Sequence, residues 1–302
     1  MPGAPTAASP AVDRYPTRVA GTPRNVPRTD PVVYRRGAGP LSTAQLDRFE
    51  TDGFVLLDEL LRPDEVDAAL REVDRMATDP VLRRSERVIT EPDGDEVRSV
   101  FEVHLASPLL AGLIADGRLA GLARQVLGSD VYVHQSRVNR KPGFVGREFS
   151  WHSDFETWHA EDGMPAARAV SLSVALTPNY VCNGSLMLIP GSHRTFVATQ
   201  GETPSDHYRE SLRRQQVGVP DENALSTLVD QAGGITTATG AAGSAVLFDC
   251  NVMHGSSSNI TPYPRCNLFV VYNSVDNPLQ EPFAAPARRP EFIASRSFQP
   301  LR

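Results

Sequence analysis

The order of hydrophobic periods predicts a mainly β fold with flanking α-helices. Apolar residues recur at helical spacing up to about Val126, and alternation with a period of two takes over from Val131. Gly and Pro punctuate the alternating part, at Pro142-Gly143, Pro165 and Pro190-Gly191, as turns between short strands do. Helices first and many strands afterwards suggest one β sandwich or jelly roll with the helices packed outside it.

Residues 1–40 contain eight of the 25 prolines, with Gly, Thr and Arg between them and no apolar period. Residues 1–12 are expected to be disordered and Asp13 to Tyr34 to lie extended across the body, with residues 13–302 as a single domain. Order begins at Leu41. Ser42 and Gln45 have the spacing of a capping box, Leu41 and Leu46 that of a hydrophobic staple, and Gly53 ends the helix. Phe54 to Leu57 is a short strand. A second helix starts at about Asp64, with Val66, Ala69, Leu70, Val73 and Met76 on one face. A third covers Leu119, Leu122, Ala123 and Val126 and stops at Gly128. Then come strands at Val131–Asn139, Phe149–Asp154, Val170–Leu176, Ser185–Ile189, Ser244–Phe248 and Asn267–Asn273. A helical stretch interrupts them at about Asp206–Ala232.

The chain has 302 residues, 40% of them hydrophobic, which is enough for a large core. A net charge of −6 argues against a nucleic-acid surface. No apolar run approaches the ~20 residues of a membrane span, and the N-terminus lacks the apolar core of a secretory signal. Cys182, Cys250 and Cys266 are an odd number at no metal-ligand spacing, as suits a reducing cytoplasm.

Of the seven histidines, only His152 has a carboxylate at i+2 on a strand-like segment. Alternate strand residues share a face, so His152 and Asp154 are expected to project together toward one metal ion. His254, on the turn-rich stretch after the strand that ends at Phe248, supplies a third ligand. Two histidines and one carboxylate form the facial set of non-haem Fe(II) oxygenases, which leaves positions open on the metal. Eleven residues further on stands Arg265, whose guanidinium suits a carboxylate held by two parallel hydrogen bonds. His159, by strand parity, is expected to face away from the metal and serve as a hydrogen-bonding neighbour. Gln135 and Asn139 share a face of their strand, as do Ser171, Ser173 and Ala175 on theirs, and Arg265 and Phe269 on a third.

His152-x-Asp154, His254 and Arg265 resemble the iron and 2-oxoglutarate residues of the Fe(II)/2-oxoglutarate dioxygenases, in the phytanoyl-CoA dioxygenase branch. Leu41–Leu61 and the run from Gly184-Ser185-Leu186 to Ile189-Pro190-Gly191-Ser192-His193 resemble that branch too. The long stretch FSWHSDFETWHAEDGMP, Phe149–Pro165, is similar to members acting on ectoine, as are DRYPTRV (Asp13–Val19) and FAAPARRPEF (Phe283–Phe292). The resemblance implies a double-stranded β-helix core, of jelly-roll or cupin-like form, with Fe(II) as cofactor and 2-oxoglutarate and O2 as cosubstrates. It implies hydroxylation of ectoine, coupled to decarboxylation of 2-oxoglutarate to succinate and CO2, and a homodimer. It also implies that Arg265, Asn139 and Ser173 contact 2-oxoglutarate. Ectoine, an amidinium and a carboxylate on a small ring, would meet Gln135, Trp158, Phe248 and Phe269, the aromatics by cation–π contact. Its carboxylate would meet Arg289, chosen over Arg288. Branch members that halogenate lack the carboxylate ligand, and Asp154 argues against that chemistry. Two other readings compete: hydroxylation of another small zwitterion such as proline, and a non-catalytic jelly roll that binds a metal or solute.

Overall fold

Two antiparallel sheets, facing one another, make up the centre of the computed structural model, which describes residues 13–302. The expected disorder of residues 1–12 lies outside the described residues. The larger sheet has seven strands in the spatial order Phe54–Leu57, Ala245–Asp249, Ala169–Ala175, Arg265–Ser274, Val131–Lys141, Val97–Phe101, Val88–Thr90. The smaller has four, Thr236–Ala238, Leu186–Leu188, His254–Ser256 and Phe149–His152. Apart from the hairpin of Val88–Thr90 and Val97–Phe101, neighbours within each sheet are distant in sequence, which gives the jelly-roll form.

The large sheet separates two kinds of side chain by parity. On its outer face Val55, Leu57, Leu172, Leu247, Leu268 and Val270 join one apolar cluster with the helices. Its inner face carries a second apolar cluster, with Phe54, Val246, Phe248 and Phe269 meeting Leu186 and Leu188 of the small sheet. Cross-strand pairing sets Asn139 and Ala175 either side of Asn267, and Arg137 and Ser173 either side of Phe269. Polar residues therefore occupy part of the inner face, where a purely structural sandwich would be apolar.

The helices form where their caps and stripes predict. Ser42 and Gln45 make a reciprocal capping box on Thr43–Asp52, and Gly53, at φ 85°, donates its N–H to Phe49 O. Pro63–Thr78 buries Val66, Ala69, Val73 and Met76, and Gly117–Leu127 ends at Gly128 with φ 62°. The alternation missed the strands Val88–Thr90, Val97–Phe101 and Thr236–Ala238, and the helix Pro108–Ala115. Of the Asp206–Ala232 stretch, only Tyr208–Ser211 and Glu222–Ala232 are helical.

One expectation needs correction. The strand Phe149–Asp154 stops at His152, because Ser153 caps a helix that begins at Asp154. Ser153 Oγ accepts from Glu156 N at 3.5 Å, a Ser-x-x-Glu spacing visible in the sequence. The stretch before His254 does turn, at Cys250-Asn251, and His254 then opens the strand His254–Ser256.

Candidate metal centre and substrate cavity

His152 and His254 meet because their strands pair in register, His254 opposite His152. Their ring centroids lie 4.2 Å apart. Each imidazole is oriented by its own backbone: His152 Nδ1 is 2.7 Å from Ser150 O, and His254 Nδ1 is 2.9 Å from Val252 O. Donation from Nδ1 to these carbonyls leaves Nε2 as the lone-pair nitrogen on both rings, the state a metal requires.

Asp154 arrives by a different route from the one parity suggested. The strand ends, the chain turns through Ser153, and Asp154 is the first residue of the next helix. That turn is fastened to the approach of His254: Phe155 N donates to Cys250 O at 2.8 Å, and Ser153 Oγ lies 3.0 Å from Asn251 Oδ1. The Asp154 carboxylate then lies 3.7 Å from His152 Nε2 and 3.9 Å from His254 Nε2, and accepts from Ser171 Oγ at 3.1 Å. One ligand atom from each of the three residues lies within 4.8 Å of the others, a spacing that fits one metal ion. Burial works to raise the pKa of Asp154, but His254, His152 and Arg137 outweigh it and hold it well below the usual carboxylate range. Burial, with His152 alongside, pushes His254 down to about 4. Two imidazoles presenting Nε2 and one carboxylate are the donor chemistry of Fe(II).

His152 and Asp154 line a cavity of about 360 Å³, at the small end of ligand sites, together with Gln135, Asn139, Trp158 and Arg289. His254, Ser173, Phe248, Phe269 and Arg265 are buried and are not among its lining residues. Phe248 stands edge-on to the His254 ring at 5.0 Å, and Phe269 lies 5.2 Å from the Arg137 guanidinium.

Arg265 is 2% exposed and has no carboxylate partner among the described residues; its Nη1 donates to Gly184 O and its Nε has no partner. Burial depresses it to about 10. Its cross-strand neighbour Lys141 is depressed to about 6, by burial first and then by Arg265 and Arg98. This corner of the inner face holds more buried cation than anion, and a dicarboxylate is the kind of ligand that would balance it. Asn139 Oδ1 accepts from Ser99 Oγ at 2.8 Å, and Ser173 Oγ accepts from Asn267 Nδ2 at 3.0 Å.

Trp158 and His159 sit on a π-helical turn, Trp158–Asp162, rather than on a strand. Trp158 is buried, with its ring edge-on to His134 at 5.0 Å. His159 stacks on Phe283 at 4.0 Å and hydrogen-bonds Met164 O and Asp13, so it is a hydrogen-bonding neighbour, though not for the parity reason. Arg289 pairs with Asp162 through Nε at 2.7 Å and Nη2 at 2.6 Å, whereas Arg288 is solvent-exposed and pairs with Glu281. Gly163, which ends the π turn, has φ 79°, and a Cβ there would stand 2.4 Å from Gln280 O. Gly163→Ala therefore combines a left-handed backbone with a clash against main chain. It should lose about 2–5 kcal/mol, measured as a shift of the urea midpoint at constant m.

The sequence reading missed Arg137 and Glu161, both lining the cavity. Arg137 has the same parity as Gln135 and Asn139, so the strand itself carried a signal. Glu161 carried none, since a π turn has no sequence period of its own.

A family model described as phytanoyl-CoA dioxygenase matches residues 49–266. The ectoine dioxygenase of Nocardia farcinica is 59% identical over 290 residues, 96% of either chain. That of Bordetella bronchiseptica is 56% identical over 297 residues, 97% of this chain and 96% of the relative. Among solved structures, EctD from S. alaskensis with bound Fe is similar at a TM-score of 0.86 and 46% identity, over 96% of this chain and 97% of that one. The same protein with 2-oxoglutarate and 5-hydroxyectoine is similar at a TM-score of 0.85 and 46% identity, over 94% of this chain and 95% of that one.

Proposed function

The chain belongs to the phytanoyl-CoA dioxygenase family, and on that premise we propose that it hydroxylates ectoine to 5-hydroxyectoine within one domain spanning residues 13–302. The observation that carries this reading is the cluster of His152, Asp154 and His254, two of which line a small cavity, together with a buried Arg265 that has no carboxylate partner among the described residues. Bound Fe(II) would supply the coupling of O2-dependent decarboxylation of 2-oxoglutarate, to succinate and CO2, with hydroxylation of a C–H bond.

The chain's own part is to hold and aim. His152 and His254 present Nε2, with Nδ1 anchored on backbone, and together with Asp154 they would hold Fe(II). Arg265 takes the distal carboxylate of 2-oxoglutarate, with Asn139 and Ser173 beside it on the same sheet face. For ectoine, Trp158 offers a ring face to the delocalised cation, with Phe248 and Phe269 behind the cavity wall. Gln135, whose Nε2 donates to Ile293 O at 2.7 Å, supplies an amide. Arg289 faces the substrate carboxylate. Closing these walls around the substrate fixes which C–H bond lies next to the metal.

A homodimer and a cytoplasmic setting belong to the same proposal. The first is supported by an exposed apolar group of Phe144, Tyr180, Val181, Ile260 and Tyr263. The second is supported by three unpaired cysteines. Among the described residues no helix is long and apolar enough to cross a membrane.

Incubation with Fe(II), 2-oxoglutarate, O2 and either ectoine or proline tests the reaction. Succinate and 5-hydroxyectoine are expected to accumulate in equal amounts, with proline unchanged. Proline hydroxylation with ectoine untouched would overturn the substrate. No turnover of either, with the metal bound, would leave a binding protein.

A further inference from the structure

Arg18 belongs to DRYPTRV, the extended segment near the N-terminus, yet its side chain is fully buried among residues about 140 positions away. Its backbone is left-handed, with φ 55°, a conformation that a non-glycine residue keeps only when its surroundings impose it. Nε and Nη2 donate to the two oxygens of Glu156 at 3.1 and 3.0 Å, while Nη1 donates to Glu161 Oε1 at 2.5 Å and Thr203 Oγ1 at 2.7 Å. Thr17 and Thr199 also donate to Glu156. Gly218 completes the enclosure: a Cβ there would lie 2.6 Å from Glu156 Oε2 and 2.8 Å from Arg18 Nη2.

The chain of charges continues to the substrate side of the cavity. Glu161 lines the cavity, and its second oxygen is 3.7 Å from Arg289 Nε. Arg289 is held on Asp162 through Nε and Nη2, leaving its Nη1 without a partner among the described residues. Asp162 in turn lies 3.4 Å from His134, whose ring meets Trp158. Three carboxylates thus share two guanidinium groups in a buried cluster. Without Arg18, the nearest cation left to Glu161 is Arg289, and a move toward Glu161 takes Arg289 off Asp162.

We propose that Arg18 is a positioning residue for the substrate: by holding Glu161 it keeps Arg289 on Asp162, with Nη1 left for the substrate carboxylate. This rests on the ectoine reading above and adds the N-terminal segment to the substrate side. Among the described residues the iron ligands and Arg265 make no hydrogen bond or ion pair with Arg18, Glu161 or Arg289, so the effect of losing Arg18 should fall first on the substrate side.

Arg18→Lys and Arg18→Gln test the proposal, with KM for ectoine and for 2-oxoglutarate measured separately. Ectoine binding to the anaerobic Fe(II)–2-oxoglutarate protein, followed by its charge-transfer band, is a readout free of turnover. KM for ectoine should rise about 10-fold in Arg18→Lys and more in Arg18→Gln, the scale on which partners of a ligating group act. KM for 2-oxoglutarate should change by less than about twofold. An unchanged ectoine KM in the folded variants, or an equal rise in both KM values, would overturn it. So would failure of both variants to fold, which would assign Arg18 to stability alone. A wild-type chain that does not hydroxylate ectoine would defeat the functional reading instead.

Discussion

Asp154→Ala should abolish hydroxylation and weaken Fe(II) binding in one step. The carboxylate is the only anionic member of the triad, and it sits 3.7 and 3.9 Å from the two imidazole Nε2 atoms. Removal leaves two histidines and no anion to offset the metal's charge. Even partners one step outside a metal's ligands are worth 10–100-fold in affinity. Loss of a ligand should therefore cost Fe(II) affinity more than about 100-fold, read by anaerobic equilibrium dialysis. The fold should survive. Asp154 is a buried anion whose other partner is the Ser171 hydroxyl, and the metal-free variant should melt within a few degrees of wild type. If folded Asp154→Ala still makes product, the metal centre has been placed wrongly.

Arg265→Met should move function and stability in opposite directions. Arg265 is a buried cation with no carboxylate partner among the described residues, depressed to about 10 by burial. Folding penalises its charged form, so the cost is present at every pH below about 10 and lifts only above it. Replacing it by an apolar side chain of similar length should leave the cosubstrate-free protein as stable as wild type or more so. Loss of the anchor for a buried carboxylate should cost about 2–5 kcal/mol, roughly 30-fold to several thousand-fold in KM for 2-oxoglutarate. Differential scanning fluorimetry with and without 2-oxoglutarate checks both. Wild type should gain stability from the cosubstrate and the variant should not. An Arg265→Met protein with unchanged KM would remove the arginine from the site.

The two variants also separate the halves of the centre. Asp154→Ala should lose the metal, whereas Arg265→Met should keep it. Neither residue hydrogen-bonds or ion-pairs with Arg18, Glu161 or Arg289 among the described residues, so together with the Arg18 variants they separate effects on metal, cosubstrate and substrate binding.

What the sequence determined by itself was local. The Ser42–Gln45 box and Gly53 bound the first helix, because capping depends on hydrogen bonds within a few residues. Strand parity placed Gln135 with Asn139, and Arg265 with Phe269, on one face, because alternation is a property of a single strand. Parity failed at His152–Asp154 because Ser153, with Glu156 three residues on, ends the strand there, a signal the sequence did contain. Only the tertiary structure decided which strand stands beside which. The register that sets His254 opposite His152 spans about a hundred residues, and that pairing converts a His-x-Asp pair into a metal centre. Tertiary packing also brings Arg18 from the N-terminal segment to Glu156 and Glu161, where an arginine with no periodic signal is buried against a residue that lines the cavity. Contacts of that range depend on the packing of the whole chain, and no local pattern encodes them.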